Sequence, residues 1–363
     1  MKNNYIGFRL QLFSILVITV LAASCKKDSA PKTSVTVTPV TLPLIEYGTT
    51  QGKRVFIPIT KVGDQTVNYY SVFDTGSSGM TIDANGILPA SMITSAGITV
   101  AGDSVVVNGI TVTSKKATIS FGDKTSLTKQ YGNLAYAPIT IGDSHGNLSI
   151  KRIPIFLYYK VTDVNGKQLA VHANDVFGVG PGTSYSFSAI TSPLRAFTTG
   201  GSVSSGFKMA IFNSTYFTST GTYVPGLLTI GLTSSDLSSS GFIMHPLAYF
   251  AAGGYSPNIP GTITYNNKTI AAELLFDTGT PSVTIIEDQT ASSLGNLPDS
   301  SLVKLTTTKG FSYQYLTKST SNLTAIQNPN NSGDFRTIFS IDFFIKNEML
   351  IDYTNHQIGL KNN

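Results

Sequence analysis

The chain has 363 residues, of which 41% are hydrophobic and 12% are charged, and it contains 33 glycines. This composition excludes an intrinsically disordered protein, which would carry fewer apolar residues, and it favours turn-rich β structure over helices. The formal net charge is +5, and it falls to +3 without Lys2 and Arg9. Since the other basic residues form no stripe, we expect no nucleic-acid partner.

Residues 1–24 have the pattern of an export signal. Lys2 and Arg9 supply a positive start, residues 10–23 form an apolar run, and the run ends in the small residues Ala22, Ala23 and Ser24. A membrane helix needs about 20 apolar residues, so the run is short for a membrane span. The segment therefore predicts a cleaved signal peptide, with an uncleaved anchor helix as the alternative.

Cys25 is the single cysteine of the chain. It follows Leu21-Ala22-Ala23-Ser24 directly, a position that resembles a bacterial lipobox, with Ala22 where that motif usually has leucine. The resemblance implies cleavage before Cys25, acylation of its thiol and a lipid anchor in the bacterial outer membrane. Lys26, Lys27 and Asp28 resemble the tags of surface-exposed lipoproteins. With one cysteine the fold has no internal disulfide and depends on its core.

Residues 25–44 are rich in Lys, Ser, Thr and Pro and predict a flexible tether. A first strand over residues 34–40 is an alternative for part of this segment. From residue 45 onward, short alternating or apolar runs are separated by Gly, Asn and Asp, which predicts an all-β fold. Two brief helices are expected, over residues 188–199 and 288–294.

One internal repeat stands out. Residues 68–82 (NYYSVFDTGSSGMTI) and 271–285 (AAELLFDTGTPSVTI) share an apolar run, Phe-Asp-Thr-Gly, a hydroxyl residue, and Thr-Ile at the same offset. Each repeat places an aspartate, Asp74 or Asp277, at the end of an apolar strand, where an unpaired carboxylate is costly to bury. The repeat therefore predicts a functional pair of carboxyl groups.

The residues that follow each aspartate suit such a pair. The glycines allow a tight turn and a close approach, the hydroxyl residues after them can hydrogen-bond the carboxylates, and the threonines can bond across between the loops. These supporting residues are Thr75, Gly76, Ser77, Thr278, Gly279 and Thr280. Two facing carboxyls about 3 Å apart cannot both be ionised, so the pair keeps one proton between them. One can then activate a water while the other protonates a substrate carbonyl.

With these motifs the chain resembles the pepsin-like aspartic peptidases, from about residue 45 to its end. The resemblance extends to a flap hairpin at ATISFGDKT (117–125), a brace at NDVFGVG (174–180) and a final brace, helix and strand at 338–360. It implies two β-lobes, residues 45–240 and 241–363, with a cleft between them that binds an extended polypeptide. It implies an aspartic endopeptidase that works as a monomer without a cofactor.

Several positions depart from the family pattern. Phe121 stands where the family has its flap tyrosine, the chain has no tryptophan, and Lys124 and Ser340 replace glycines. The flap residues Phe121, Gly122 and Asp123 are expected to contact the substrate. These departures leave one alternative, a catalytically inactive surface lipoprotein of the same fold that binds peptides or glycans. A further alternative is a tethered structural lipoprotein whose two Asp-Thr-Gly loops no longer have a function.

No metal site is expected. The four histidines, His145, His172, His245 and His356, are far apart in the sequence and lack the spacing of metal ligands on a helix. A serine hydrolase is also disfavoured, because the chain has no Gly-x-Ser-x-Gly elbow.

Overall fold

The computed structural model of the protein describes residues 38–197, 203–291 and 293–363. The predicted signal peptide, Cys25 and residues 26–37 of the predicted tether lie outside the described residues. Strands make up 55% of the structure and helices 7%, so the all-β prediction is confirmed. Among the described residues, no helix is long and apolar enough to cross a membrane.

Most of the described chain runs in strands, numbered here in chain order. The first fourteen are β1 Val40–Tyr47, β2 Arg54–Val62, β3 Gln65–Asp74, β4 Ser78–Asp83, β5 Ile93–Thr94, β6 Gly97–Ile98, β7 Ser104–Val107, β8 Ile110–Phe121, β9 Thr128–Asp143, β10 Gly146–Thr162, β11 Val176–Val179, β12 Ser204–Met209, β13 Thr222–Leu232 and β14 Ile243–Pro246. The others are β15 Tyr249–Phe250, β16 Gly254–Tyr255, β17 Ile259–Tyr265, β18 Lys268–Phe276, β19 Val283–Glu287, β20 Gly295–Asn296, β21 Leu302–Thr307, β22 Ser312–Leu316, β23 Leu323–Gln327, β24 Arg336–Phe339, β25 Asn347–Asp352 and β26 Gln357–Asn362.

The largest sheet has 14 strands in the order β14-β26-β25-β12-β13-β1-β2-β3-β11-β4-β10-β9-β8-β7, and β2 also pairs with β9. Strand β2 shows how the sequence fills its core: Val55, Ile57 and Ile59 alternate along the strand and are fully buried. Such alternation places every second side chain on the same face. The face that they share is the core of the first lobe.

The second lobe is built on a sheet of eight strands, in the order β20-β23-β19-β24-β18-β17-β21-β22. Its core is rich in aromatic residues, and the Phe343 ring lies 4.5 Å from Phe276 and 5.9 Å from Phe339. Phe276 is the last residue of β18 and is buried directly before Asp277. Truncating a buried phenylalanine costs about 3–5 kcal/mol. The aromatic core therefore fixes the strand end that carries the second aspartate.

The sheet of the first lobe also includes strands from beyond residue 240. Strands β14, β25 and β26 lie beyond that residue, yet they join the sheet of the first lobe, where Met209 of β12 pairs with Met349 of β25. A buried ion pair also links the two halves of the chain. Lys53 donates to Asp342 at 2.5 Å, and removing one partner of such a pair costs about 3–5 kcal/mol.

The N-terminal boundary of the fold differs from the predicted tether. Strand β1 begins at Val40, which pairs with Ile230 of β13, so residues 40–44 belong to the folded sheet. Leu42 and Leu44 are buried in the core. Their alternation is a strand pattern within a segment whose overall composition suggests a linker.

Helical segments are few and small in the described part of the chain. They are α1 Ser234–Ser238, α2 Pro329–Ser332 and the 3₁₀ turns Ala90–Met92, Pro193–Ala196 and Ile341–Ile345. Of the predicted helix over 188–199, the structure has the single turn at Pro193–Ala196, and residues 198 and 199 lie outside the described residues.

The prediction of a helix over 288–294 is wrong for the described residues of that segment. Asp288 accepts hydrogen bonds from the backbone N–H and the hydroxyl of Thr290, at 2.8 and 2.9 Å. Such local bonds from an aspartate stabilise a turn at the expense of a helix.

Candidate active site

The two Asp-Thr-Gly loops meet face to face. Asp74 ends β3, and Asp277 follows β18. A Cβ atom placed on Gly76 would lie 2.5 Å from the carboxyl carbon of Asp277, and one on Gly279 would lie 2.7 Å from that of Asp74. Each glycine thus lies against the carboxyl of the opposite loop, with no room for a side chain. The two carboxyls are therefore neighbours, and the charge of Asp277 acts on the carboxyl of Asp74.

A reciprocal pair of threonines locks the loops together. The Thr75 N–H donates to the hydroxyl of Thr278 at 3.1 Å, and the Thr278 N–H donates to the hydroxyl of Thr75 at 3.0 Å. The Thr75 hydroxyl in turn donates to the carbonyl of Phe276 at 2.7 Å, and the Thr278 hydroxyl donates to that of Phe73 at 2.5 Å. Both threonines are fully buried, so these four bonds are shielded from water.

Each carboxylate is held by its own loop. The Oδ1 atom of Asp74 accepts from the N–H groups of Gly76 and Ser77, at 2.8 and 3.0 Å, and its Oδ2 atom accepts from the Ser77 hydroxyl at 2.6 Å. On the other side, Asp277 accepts from the Gly279 N–H and the Thr280 hydroxyl, both at 2.7 Å. The structure therefore brings the two aspartates and their six supporting residues into one symmetrical arrangement.

Burial and like charge determine the protonation of this pair. Burial raises the pKa of Asp74 well above its usual range, and the nearby carboxylate of Asp277 raises it further, against the opposing hydrogen bonds from Ser77 and Gly76. Because two adjacent carboxylates repel each other, the first proton is lost far more easily than the second. The pair therefore still holds one proton at pH values at which an ordinary aspartate has lost its own.

Arg54 is a neighbour of the pair that the sequence did not reveal. Burial lowers the pKa of this arginine overall, while the charges of Asp277 and Asp74 act in the opposite direction. Arg54 is the first residue of β2, and no local motif marks it. Its positive charge favours the ionised form of the pair.

Each Asp loop is braced from behind by a parallel strand. In the first lobe, Gly178 of β11 lies opposite Asp74, and a Cβ atom on Gly178 would lie 2.8 Å from the Ser77 hydroxyl oxygen. In the second lobe, the Asp277 N–H donates to the carbonyl of Phe339, the last residue of β24, at 2.9 Å. Both aspartates are thus fixed by backbone contacts as well as by their loops.

Ser340 occupies the position in the second brace that corresponds to Gly178. It is fully buried, and its hydroxyl oxygen lies 3.4 Å from that of Thr284. The Ile341 N–H just beyond it donates to the carbonyl of Thr280 at 3.1 Å. The second brace therefore accommodates a serine, whose hydroxyl has a partner.

The predicted flap is the hairpin of β8 and β9. Phe121 is half-buried, Gly122 is exposed with φ +86°, and Asp123 organises the turn by accepting from the N–H groups of Thr125 and Ser126, at 2.8 and 3.0 Å. Burial raises the pKa of Asp123, but these hydrogen bonds outweigh it and lower the pKa overall. Within the described residues, no hydrogen bond joins Phe121, Gly122 or Asp123 to the aspartate pair.

No group of three or more histidine, cysteine, aspartate or glutamate side chains in the described ranges is arranged to hold a metal ion.

Solved structures with a similar fold cover nearly the whole chain. An aspartic proteinase from Irpex lacteus matches with a TM-score of 0.54 and 16% identity, over 90% of this chain and 98% of its own. The chain has the pepsin-like aspartic proteinase fold. No protein-family model and no curated protein matches the sequence.

Two further proteins of the pepsin-like fold are named as globulins. Basic 7S globulin from soybean matches with a TM-score of 0.54 and 10% identity, over 90% of this chain and 96% of its own. Conglutin gamma, a basic 7S globulin from lupine seeds, matches with a TM-score of 0.56 and 12% identity, over the same shares. The fold alone therefore does not establish an activity.

The threonine pair provides a test of how the site is held. Replacing Thr75 by valine should leave the buried Thr278 N–H and the buried Phe276 carbonyl without this hydrogen-bond partner. Each unpaired group costs about 1–3 kcal/mol of stability. We expect Thr75→Val to lower the free energy of unfolding in urea by about 2–4 kcal/mol, whereas Thr75→Ser, which keeps the hydroxyl, should lose less. Equal losses in the two variants would show that the cross-loop hydrogen bonds do not hold the site.

Proposed function

We propose that the protein is an aspartic endopeptidase in which Asp74 and Asp277 together activate a water molecule. The observation that carries this proposal is the meeting of two carboxyls, that of the buried Asp74 and that of the half-buried Asp277, each hydrogen-bonded by its own loop and facing a glycine of the other. Burying two carboxyls side by side is costly unless they share a proton. Perturbed carboxyl pairs of this kind are typical of catalytic sites.

The reaction follows from the shared proton. The ionised carboxylate takes a proton from the water as its oxygen attacks the carbonyl carbon of the substrate, and the protonated carboxyl donates to the carbonyl oxygen. The tetrahedral intermediate then collapses: the carboxyl that took the proton from the water gives it to the amine nitrogen, the carbon–nitrogen bond breaks, and the other carboxylate takes back a proton from a hydroxyl of the intermediate. No covalent bond to the enzyme forms, and no cofactor takes part. The substrate is a polypeptide in extended form.

A binding protein without catalytic activity is the second candidate. It is supported by the two neighbours that are named as globulins and by the replacement of family residues at Phe121, Lys124 and Ser340. Such a protein would bind peptides or glycans without turnover at any pH between about 3 and 8, the range in which carboxyl pairs titrate. The accommodated hydroxyl of Ser340 makes this candidate weaker, because the second Asp loop keeps its hydrogen bonds.

We propose that the enzyme works at the bacterial cell envelope, lipid-anchored to the outer membrane through Cys25 and exposed there as a monomer. The support is the apolar leader, the lipobox-like sequence and the Lys, Ser and Pro residues that follow. Two Asp loops on one chain make dimerisation unnecessary for assembling the site.

The role of the pair is tested by replacing Asp277 with asparagine. This substitution keeps the shape of the side chain but removes the shared proton, so cleavage of a denatured, fluorescently labelled protein should fall by about 10³-fold or more. Asp299→Asn, an exposed aspartate in the second lobe, is the matched control and should retain activity. A statine-type inhibitor should block the wild-type enzyme. Full cleavage by the Asp277→Asn variant would exclude the proposed mechanism.

The anchor is tested by replacing Cys25 with serine in the full chain. In cells, the wild-type protein should carry an acyl group on Cys25 and partition into the detergent phase, because two or more acyl chains hold a protein at a membrane. The Cys25→Ser variant should lack the acyl mass and move to the aqueous phase. An unmodified Cys25 in the wild-type protein, measured by mass spectrometry, would contradict the lipid anchor.

A further inference from the structure

The tip of the flap is docked on the second lobe. The Lys124 N–H donates to the carbonyl of Ser332, the last residue of α2, at 3.3 Å. The Lys124 side chain lies across Gly333, where a Cβ atom would come within 2.8 Å of its Cε atom. The hairpin thus starts in the first lobe and ends against the second, bridging the two.

A single amide connects carboxylates from both sides of this contact. In the orientation that satisfies its neighbours, the side-chain nitrogen of Gln327 donates to Asp123 of the flap at 3.1 Å and to Glu287 of the second lobe at 3.0 Å. Strands β19 and β23 run parallel, with Glu287 and Gln327 paired at their ends. The second lobe therefore presents these two side chains to the flap at one fixed position.

The charges at this contact are unbalanced. Asp334 beside α2 is neutralised by Arg336, whose guanidinium donates to it at 2.6 and 2.9 Å. Asp123 and Glu287 have no such cation among the described residues, since Lys124 lies over Gly333. Glu287 is 7% exposed, and its Oε2 atom has no hydrogen-bond partner in the described structure. An ionised Glu287 would therefore be repelled by the charges of Asp334 and Asp123.

We propose that Asp123, Gln327 and Glu287 form a latch that positions the flap across the cleft, and that the latch closes when Glu287 carries a proton. The latch rests on the proposed peptidase function for its effect on turnover, but not for its existence. In this account the three side chains are positioning residues, since none of them contacts Asp74 or Asp277 in the described structure.

The direction of the pH effect follows from the surroundings of Glu287. Burial raises the pKa of its carboxyl, the Ser332 hydroxyl opposes this effect, and the charges of Asp334 and Asp123 raise it further. When the flap lifts, Asp123 leaves and water enters, so the pKa of Glu287 returns toward that of an ordinary glutamate. Closing therefore takes up a proton, and the closed form loses stability as the pH rises from that ordinary value through the raised one.

The latch region and the aspartate pair both adjoin β24. Arg336, which holds Asp334, is the first residue of this strand, and its charge acts on Asp277. The last residue of the strand, Phe339, accepts the hydrogen bond of the Asp277 backbone. The segment that receives the flap thus continues directly into the brace of the second Asp loop.

Hydrogen–deuterium exchange tests the latch without any substrate. The Lys124 N–H is protected when the flap is docked, so the flap-tip peptide should exchange about threefold or more faster at pH 7.5 than at pH 5 after correction for the intrinsic rate. The Glu287→Gln variant is neutral at both pH values and should keep its protection. Asp123→Asn, which keeps the oxygen that organises the turn, should also reduce the pH effect.

Kinetics with a peptide substrate test the consequence for turnover. In the wild-type enzyme KM should rise between pH 5 and pH 7.5 as the flap opens, in addition to any change in kcat from the aspartate pair. Glu287→Gln should flatten the KM profile and leave the kcat profile unchanged. Glu273→Gln, at an exposed glutamate of β18, is the matched control and should behave like the wild type.

The outcomes separate the two proposals. Absence of cleavage by the wild-type protein, with pH-dependent protection of the flap tip, would refute the peptidase and support the latch. Equal pH dependence of protection in the wild type and in Glu287→Gln would overturn the latch, whether or not the protein cleaves. The same change in Glu273→Gln as in Glu287→Gln would also overturn it, because the effect would then not belong to the buried carboxyl.

Discussion

The structure depends on one electrostatic constraint, the close approach of the carboxyl groups of Asp74 and Asp277. Two carboxylates at such a distance repel strongly in a site with little water, and the pair is tolerable because it retains one proton. Every contact near the pair serves to hold it at that distance. The threonines tie the loops to each other, the glycines let each loop reach the opposite carboxyl, and the loop hydroxyls bond the outer oxygens. The aromatic core behind Asp277 and the parallel braces then fix the loops to the two lobes.

The two halves of the site achieve the same geometry with different residues. The first lobe uses a glycine, Gly178, behind its Asp loop, whereas the second uses Ser340, whose hydroxyl lies beside that of Thr284. The flap adds a further asymmetry, because it starts in the first lobe and docks on the second through Gln327. A protein with one pair of carboxyls therefore contains two separate groups that respond to protons. In the two proposals, the aspartate pair governs the chemistry, and Glu287 governs access to it.

Local sequence predicted much of this architecture. The Phe-Asp-Thr-Gly repeat marks both loops, since the strand, the turn and the hydrogen-bonding hydroxyl all lie within a few residues of the aspartate. The alternation of apolar residues predicted the all-β fold. What the sequence did not reveal depends on contacts between distant segments. The charge of Arg54 acts on the pair from the start of β2, Gln327 links Glu287 to Asp123 some 160 to 200 positions away, and β25 and β26 cross into the first sheet. No local pattern encodes these contacts, because each depends on how two lobes pack.

The shared proton can be measured directly by following the side-chain carboxyl carbons of Asp74 and Asp277 by NMR as the pH is raised. The account predicts two steps separated by about two or more pH units, both sensed by both carboxyls, because the charge of one group acts on the other. Replacing one aspartate by asparagine should leave a single titration step, because one carboxyl remains. The central claim would be contradicted if each carboxyl titrated independently of the other and both did so near pH 4, the usual range of an aspartate.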